Sequence, residues 1–367
     1  MAAAFAVFGL FWGAWAACLP AIQRATDATE SQLGLALLCV ALAALPAMLA
    51  AGRLADLFGA RLVPIGLVLF GGAAMLPGLA RSVHVLVLCL LVVGLTTGLL
   101  DIAINAHASR LEAAHGIRIM DGLHAAFSGG VVVGGVGAGL LRRAGAHPSW
   151  ILAAVGLVIA LTALANRGPG LPAVPAPRRV RVARPLLVVG LVLALAFVVE
   201  SGLEGWSALF LERVLHTSPA ISGLGPGLFA GAMLTGRLLA QRTEYSSVAG
   251  RMAFAGLAAA GGLVLVSTAR HPAVALAGLA VAGGGLALSA PTLFALAGRI
   301  GGEGGGGSAL STVAILGYLG FLTGPPLIGA VSGAASLRGG FVFLCAVAVL
   351  LAACSPVLRR VVDETRS

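Results

Sequence analysis

Long apolar runs, broken by short polar stretches, fill this chain. Runs lie near residues 2–22, 32–51, 62–80, 85–108, 119–140 and 149–166. A Pro- and Arg-rich stretch from Arg167 to Arg184 follows, and six more runs lie near 185–210, 219–240, 248–268, 272–296, 308–332 and 339–357. Each approaches the ~20 residues that a helix needs to cross a bilayer. Inside a bilayer the backbone must satisfy its own hydrogen bonds, so only helices or a closed barrel will serve. Barrel strands alternate apolar and polar positions, and these runs do not. The pattern predicts an all-α membrane protein of about twelve transmembrane helices. The long polar stretch at mid-chain divides it into two six-helix bundles, 1–166 and 185–357, joined by a linker over 167–184 and ending in a tail over 358–367.

Composition sharpens this picture. The chain is 59% hydrophobic and 10% charged, with a mean hydropathy of +1.04. Soluble domains carry about 25% charged residues. Met1 to Cys18 lacks a basic leading segment and runs straight into further spans, so it reads as the first membrane helix rather than a cleaved leader. The net charge of +10 comes wholly from Arg, since the sequence holds no Lys. These Arg sit in short loops, which argues for orientation in the membrane rather than nucleic-acid binding. Sixteen of the 23 fall in the even-numbered loops and the tail, the others being Arg24, Arg81, Arg142, Arg143, Arg213, Arg270 and Arg338. The bias predicts that both termini and the central loop face the cytoplasm. The five Cys lie inside apolar runs without metal-ligand spacing; no disulfide, metal or cofactor is expected.

The two halves echo each other. Gly52-Arg53-Leu54-Ala55-Asp56 closes the second span and Gly236-Arg237-Leu238-Leu239-Ala240 the eighth, 184 residues apart. Internal repeats of this kind mark transporter folds, with the substrate site between the repeats. The loop after the second span reads Gly52-Arg53-Leu54-Ala55-Asp56-Leu57-Phe58-Gly59-Ala60-Arg61. It resembles the signature of the major facilitator superfamily, although Leu57 and Ala60 are often basic in that family. The resemblance implies close packing at Gly52, a tight turn at Gly59, and a conformational latch. In that latch Asp56 would pair with Arg110 at the end of the fourth span, with Arg61 beside it. Further segments resemble a bacterial branch near the fucose permeases. They are Gly13-Ala14-Trp15 and Leu19-Pro20, Gly98 with Asp101 through Asn105, and His124 with Ser128-Gly129. In the second half they are Glu200 with Gly205-Trp206-Ser207, and Gly317-Tyr318 with Gly324-Pro325-Pro326. This branch implies solute transport with expected proton linkage, and fixes no substrate.

Ionisable groups inside spans cost at least ~2.5–3.5 kcal/mol to insert, so they are functional candidates. Asp101 and Asn105 share a face of the fourth span, four residues apart. Asp101 precedes Arg110 by nine residues, or ~13 Å of helix. The fifth span returns His124 and Ser128 to similar depth. The four groups read either as a proton relay or as a hydrogen-bond network joining the two helices. Carboxylates away from water and imidazoles both exchange protons near neutral pH. On the seventh span Glu200 falls in the apolar part and Glu204 toward the outer interface. Trp206 reads either as a stacking platform or as an interfacial anchor. Trp12, Trp15 and Tyr318 read either as packing or as cavity residues. The superfamily resemblance implies that spans 1, 4, 7 and 10 line a cavity, which adds Ser289 and Thr292. His107 and Asp121 read as solvated helix-end groups.

The Gly-rich fifth span (Gly129, Gly130, Gly134, Gly135, Gly137, Gly139) predicts close helix packing. Gly301 to Gly307 predicts a cytoplasmic loop. Neither has the context of a phosphate loop, so ATP is not an expected ligand. The expectation is a monomeric secondary transporter, not an enzyme, whose partners are a small polar solute, protons and the bilayer. The solute class is a sugar or related metabolite. A proton-driven efflux pump for hydrophobic compounds is the alternative, opposed by the lack of Pro in the fifth span. A membrane receptor or enzyme is the reading of another class, and the sequence shows neither an appended domain nor a reactive constellation.

Overall fold

The structure, a computed structural model, describes residues 1–116, 119–166, 184–240, 247–301 and 306–364. The predicted linker over 167–184 lies outside them except for Arg184, as does most of the predicted Gly301–Gly307 loop. The described residues form helices and no strand. The first six long helices are α1 (Ala2–Thr26), α2 (Glu30–Phe58), α3 (Leu62–Met75), α4 (Val83–His115), α5 (Met120–Arg143) and α6 (Pro148–Ala165). After the linker come α7 (Arg184–Arg213), the short α8 (Pro219–Ser222), α9 (Leu224–Ala240) and α10 (Val248–Thr268). The chain ends with α11 (Pro272–Leu286), α12 (Ser289–Gly301), α13 (Gly306–Ala334), α14 (Leu337–Ala353) and α15 (Ser355–Glu364). Among the described residues, eleven stretches are long and apolar enough to cross a membrane. With its 17 residues, α9 is the remaining predicted span.

Three predicted spans are interrupted. The eighth divides into α8 and α9, the tenth into α11 and α12, and the twelfth into α14 and α15. Pro226, Pro291 and Pro356 follow these breaks. A proline ring clashes with the carbonyl four residues before it and donates no hydrogen bond. Those carbonyls belong to Ser222, Ala287 and Ala352, at or beside the ends of α8, α11 and α14. The fourth span, in contrast, overruns its predicted end at residue 108. It continues through good helix formers to His115 and stops at Gly116, whose φ of 64° closes the helix in the left-handed conformation.

The chain divides into two compact units. One holds α1–α6 together with Ala208–Gly227; the other holds α7 up to Ser207 and everything from Leu228. Glycine seams build the first. A Cβ on Gly9 or Gly13 would strike the carbonyls of Phe127 or Val131, and one on Gly130 or Gly134 those of Ala6 or Leu10. Helices α1 and α5 thus meet backbone to backbone, as small residues allow in membrane proteins. Gly94 and Gly98 bring α4 equally close to Val40 and Ala44 of α2. In the second unit Gly262 and Gly278 join α10 to α11, while Gly320 and Gly324 of α13 meet Ala194 and Ser201 of α7. That α7–α13 seam leaves Glu200 and Glu204 on an adjacent stripe of α7.

Candidate functional site

In the first unit, each candidate pair is joined along its own helix. Asn105 Nδ2 donates to Asp101 Oδ1 at 3.0 Å and to the Asp101 carbonyl at 2.9 Å. The Ser128 hydroxyl donates to the His124 carbonyl at 3.2 Å. The His124 ring meets Phe5 of α1 edge-on, with centroids 5.4 Å apart. His124 is exposed, Asp101 and Asn105 are half-buried, and Ser128 is buried. Trp15 is buried and stacks on Phe11 at 6.5 Å, and Phe11 packs edge-on against Phe70 at 5.0 Å. This cluster makes Trp15 part of a packed core.

The latch is only partly described. Gly59 has a φ of 53°, the turn that its resemblance implied. Arg61 is exposed, and Arg110 is half-buried within α4 rather than at its end. The surroundings of Gly52 and the side chain of Asp56 lie outside what is described, and so does the predicted pairing of Asp56 with Arg110.

In the second unit the seventh span yields more than its sequence indicated. Glu200 and Glu204 stand one turn apart, both half-buried, and the guanidinium of Arg237 on α9 acts on both carboxylates. Ser207, one further turn along the same stripe, is buried with no partner for its hydroxyl among the described residues. Arg237 Nε and Ser289 Oγ are likewise buried and unpartnered there. Leaving such a group unsatisfied costs about 1–3 kcal/mol. Trp206 is wholly enclosed, at 0% exposure, so it is neither an interfacial anchor nor an open platform. Thr292 is buried beside the start of α12. Tyr318 is exposed and belongs to an aromatic group with Phe197 and Phe321, whose own rings lie 4.5 Å apart.

Arg237 has partners that loop counting did not indicate. It lies in the last turn of α9, half-buried, with Gly236 packed close to Ala287 and Gly284. Two carboxylates on α7 give it a local electrostatic role besides its place at a span end. Helix α7 runs on to Arg213, so Glu204 lies nine residues, or ~13 Å, before the helix end.

The sequence reading also passed over Glu212, one residue before the end of α7. Arg142 Nη1 and Nη2 donate to its two carboxylate oxygens at 3.0 and 2.9 Å. Arg24 reaches Oε1 at 2.7 Å, and the Ser222 hydroxyl donates to Oε2 at 3.0 Å. The Arg142 and Glu212 side chains are only 4% and 8% exposed. Arg142 also donates to the carbonyl of Ala17 at 2.6 Å, and Arg213 donates to Gln23 Oε1 at 3.0 Å. One signal was in the sequence. Arg24, Arg142 and Arg213 all belong to the arginine-poor set of loops, where a lone glutamate at a span end is the natural counter-ion.

The sequence profile of the Major Facilitator Superfamily matches residues 1–320. An MFS-type transporter of Yersinia pestis is 34% identical over 249 residues, which cover 65% of this chain and 64% of that protein. The matched part thus spans just under two thirds of that relative's length. Among solved structures, a bacterial homologue of the human lysosomal transporter Spinster superposes with a TM-score of 0.78 at 16% identity. It covers 99% of this chain and 96% of its own. A D-xylose–proton symporter superposes with a TM-score of 0.76 at 15% identity, covering 96% of this chain and 95% of its own. At such identities the structural likeness speaks for the fold. The sequence match shows that this chain belongs to the major facilitator superfamily, and its helical architecture is that of a multi-pass membrane protein.

Proposed function

We propose that this transporter moves a small polar solute, a sugar or related metabolite, by proton-coupled alternating access across a bacterial inner membrane. Its orientation places both termini in the cytoplasm, as the arginine bias suggests, and it works as a monomer of two six-helix bundles. The observation that carries the coupling is the charge imbalance on α7. Glu200 and Glu204 share a single cation, Arg237, in the interior of the second unit. With all three ionised, one negative charge stays uncompensated in an apolar setting, which is costly. A proton taken up by the pair removes that charge, and its release restores it. Ser207 and Ser289 offer hydrogen bonds that a solute hydroxyl can complete. On the first bundle, Asp101 with Asn105 and His124 with Ser128 are the accompanying polar groups. Asp56 with Arg110 is the proposed cytoplasmic latch, with Gly52, Gly59 and Arg61 shaping its loop.

Support for a sugar is one of chemistry: neutral hydroxyl-rich solutes suit serine, glutamate and arginine partners. The D-xylose–proton symporter shares the fold and supplies a first probe. The test is counterflow in proteoliposomes with radiolabelled pentoses, hexoses and polyols at two pH values. Exchange of at least one member that quickens with an imposed proton gradient is the expected result. If every sugar and polyol fails while a lipophilic dye exchanges, the solute class is wrong.

A further inference from the structure

We infer that α15 is an interfacial helix whose Arg359 and Arg360 bind the anionic phospholipid headgroups of the bilayer surface. This surface is distinct from the α7 carboxylates and independent of the solute carried. Residues 337–357 cover ~30 Å as helix, about the thickness of a hydrocarbon core. The chain then turns charged, with Arg359, Arg360, Asp363 and Glu364. Helix α15 sorts its residues by side. Leu358 and Val361 are buried, at 0% and 5% exposure, and the helix packs on α10. On the outer side Leu350, Ala353, Val357 and Arg360 are all exposed. Their spacing of three, four and three residues is that of one helix face. Cys354, between α14 and α15, keeps right-handed helical backbone and accepts from the Leu358 N–H, so that face runs on from one helix into the other. It is apolar up to Val357 and cationic at Arg360, the order in which a bilayer presents hydrocarbon and headgroup.

The neighbouring helix shows the same transition. Gly256 packs on Ala352, and the Cys345 thiol reaches the Ala260 carbonyl, so α10 and α14 run antiparallel. Arg251, in the opening turn of α10, therefore comes level with the start of α15, and exposed Phe254 and Leu257 follow it. Arg359 and Arg360 are exposed, and neither has a hydrogen-bond or ion-pair partner among the described residues. Asp363 stands one turn beyond Arg359 without pairing to it. A solvated pair of that kind contributes little, whereas a phosphodiester accepts both arms of a guanidinium. Basic residues just outside a span are drawn to anionic lipid. The exposed Val357 and Phe254 beside these cations favour a lipid over a free phosphate, which has no acyl chain to lay against them.

Hydrogen–deuterium exchange of the full-length protein tests this, in nanodiscs of phosphatidylcholine alone or mixed with phosphatidylglycerol. The amides of residues 357–364 should exchange about fivefold more slowly in the anionic discs, because the headgroups must be released before the helix opens. High salt should erase the difference. The double variant Arg359→Gln/Arg360→Gln should lose it while keeping the wild-type melting temperature. Arg81→Gln/Arg143→Gln, an equal loss of charge at exposed positions elsewhere, should retain it. Equal exchange of 357–364 in the two kinds of disc overturns the proposal. A lipid dependence that survives Arg359→Gln/Arg360→Gln, or that Arg81→Gln/Arg143→Gln abolishes as well, overturns it too. So does inorganic phosphate that reproduces the slowing in phosphatidylcholine discs, since the arginines would then serve a free anion.

Discussion

Helix α7 carries two carboxylate sites of opposite character. At Glu212 the charge is saturated: two guanidiniums and a hydroxyl converge on it within 3.0 Å. At Glu204 and Glu200, two and three turns inward, two carboxylates share one guanidinium and neither has a hydrogen-bond partner among the described residues. A saturated carboxylate is a structural tie, since removing any partner leaves a buried charge behind. An under-partnered pair has room for a proton or a solute. The contrast separates stability from activity along one helix, and substitutions at equal chemistry can test it.

The largest expected split lies between the two arginines. Arg142→Ala should cost about 3 kcal/mol of folding stability, because Glu212 would keep only the exposed Arg24 and the Ser222 hydroxyl; thermal unfolding of the purified protein measures this. Arg237→Ala should leave unfolding nearly unchanged, because the carboxylate pair can take up a proton in its place, while proton-driven accumulation falls sharply, because the cation against which the pair gains and loses its proton is gone. If Arg142→Ala were mild and Arg237→Ala strongly unfolding, the assignment of the two sites would be inverted. Next comes the packing on which both sites rest. Gly134→Val meets the Leu10 carbonyl and should cost about 2 kcal/mol, whereas Gly137→Val faces open space and should stay within ~0.5 kcal/mol. Equal effects would mean that the α1–α5 seam does not set the spacing at the Arg142–Glu212 pair. The smallest effect should be that of Arg24→Ala, at about 0.5 kcal/mol, since its side chain is 48% exposed and screened by water.

The spans and their number were legible because bilayer insertion writes long apolar runs into any sequence. Family membership was legible in the Gly52–Arg61 loop, whose Gly59 adopts the expected left-handed turn. Helix interruptions were harder to read. Pro226, Pro291 and Pro356 break their helices, while Pro20, Pro46, Pro325 and Pro326 lie inside continuous ones. Ring chemistry alone does not decide the outcome; neighbouring helices do. Of the proposed site, Glu200 was legible as a charge within an apolar run. Arg237 and Glu212 were not: Arg237 was read only as part of the close of its span, and Glu212 was passed over. Their roles arise from partners on other helices: α7 carboxylates for Arg237, and Arg142, Arg24 and Ser222 for Glu212.

The central claim is that the α7 pair couples the solute to protons. Its most direct test is accumulation of a transported sugar in proteoliposomes, comparing wild-type protein with Glu200→Gln under an inward proton gradient and in gradient-free exchange. The account predicts that Glu200→Gln still exchanges solute at a rate near wild type but loses gradient-driven accumulation. Undiminished accumulation against the solute gradient in Glu200→Gln would contradict it.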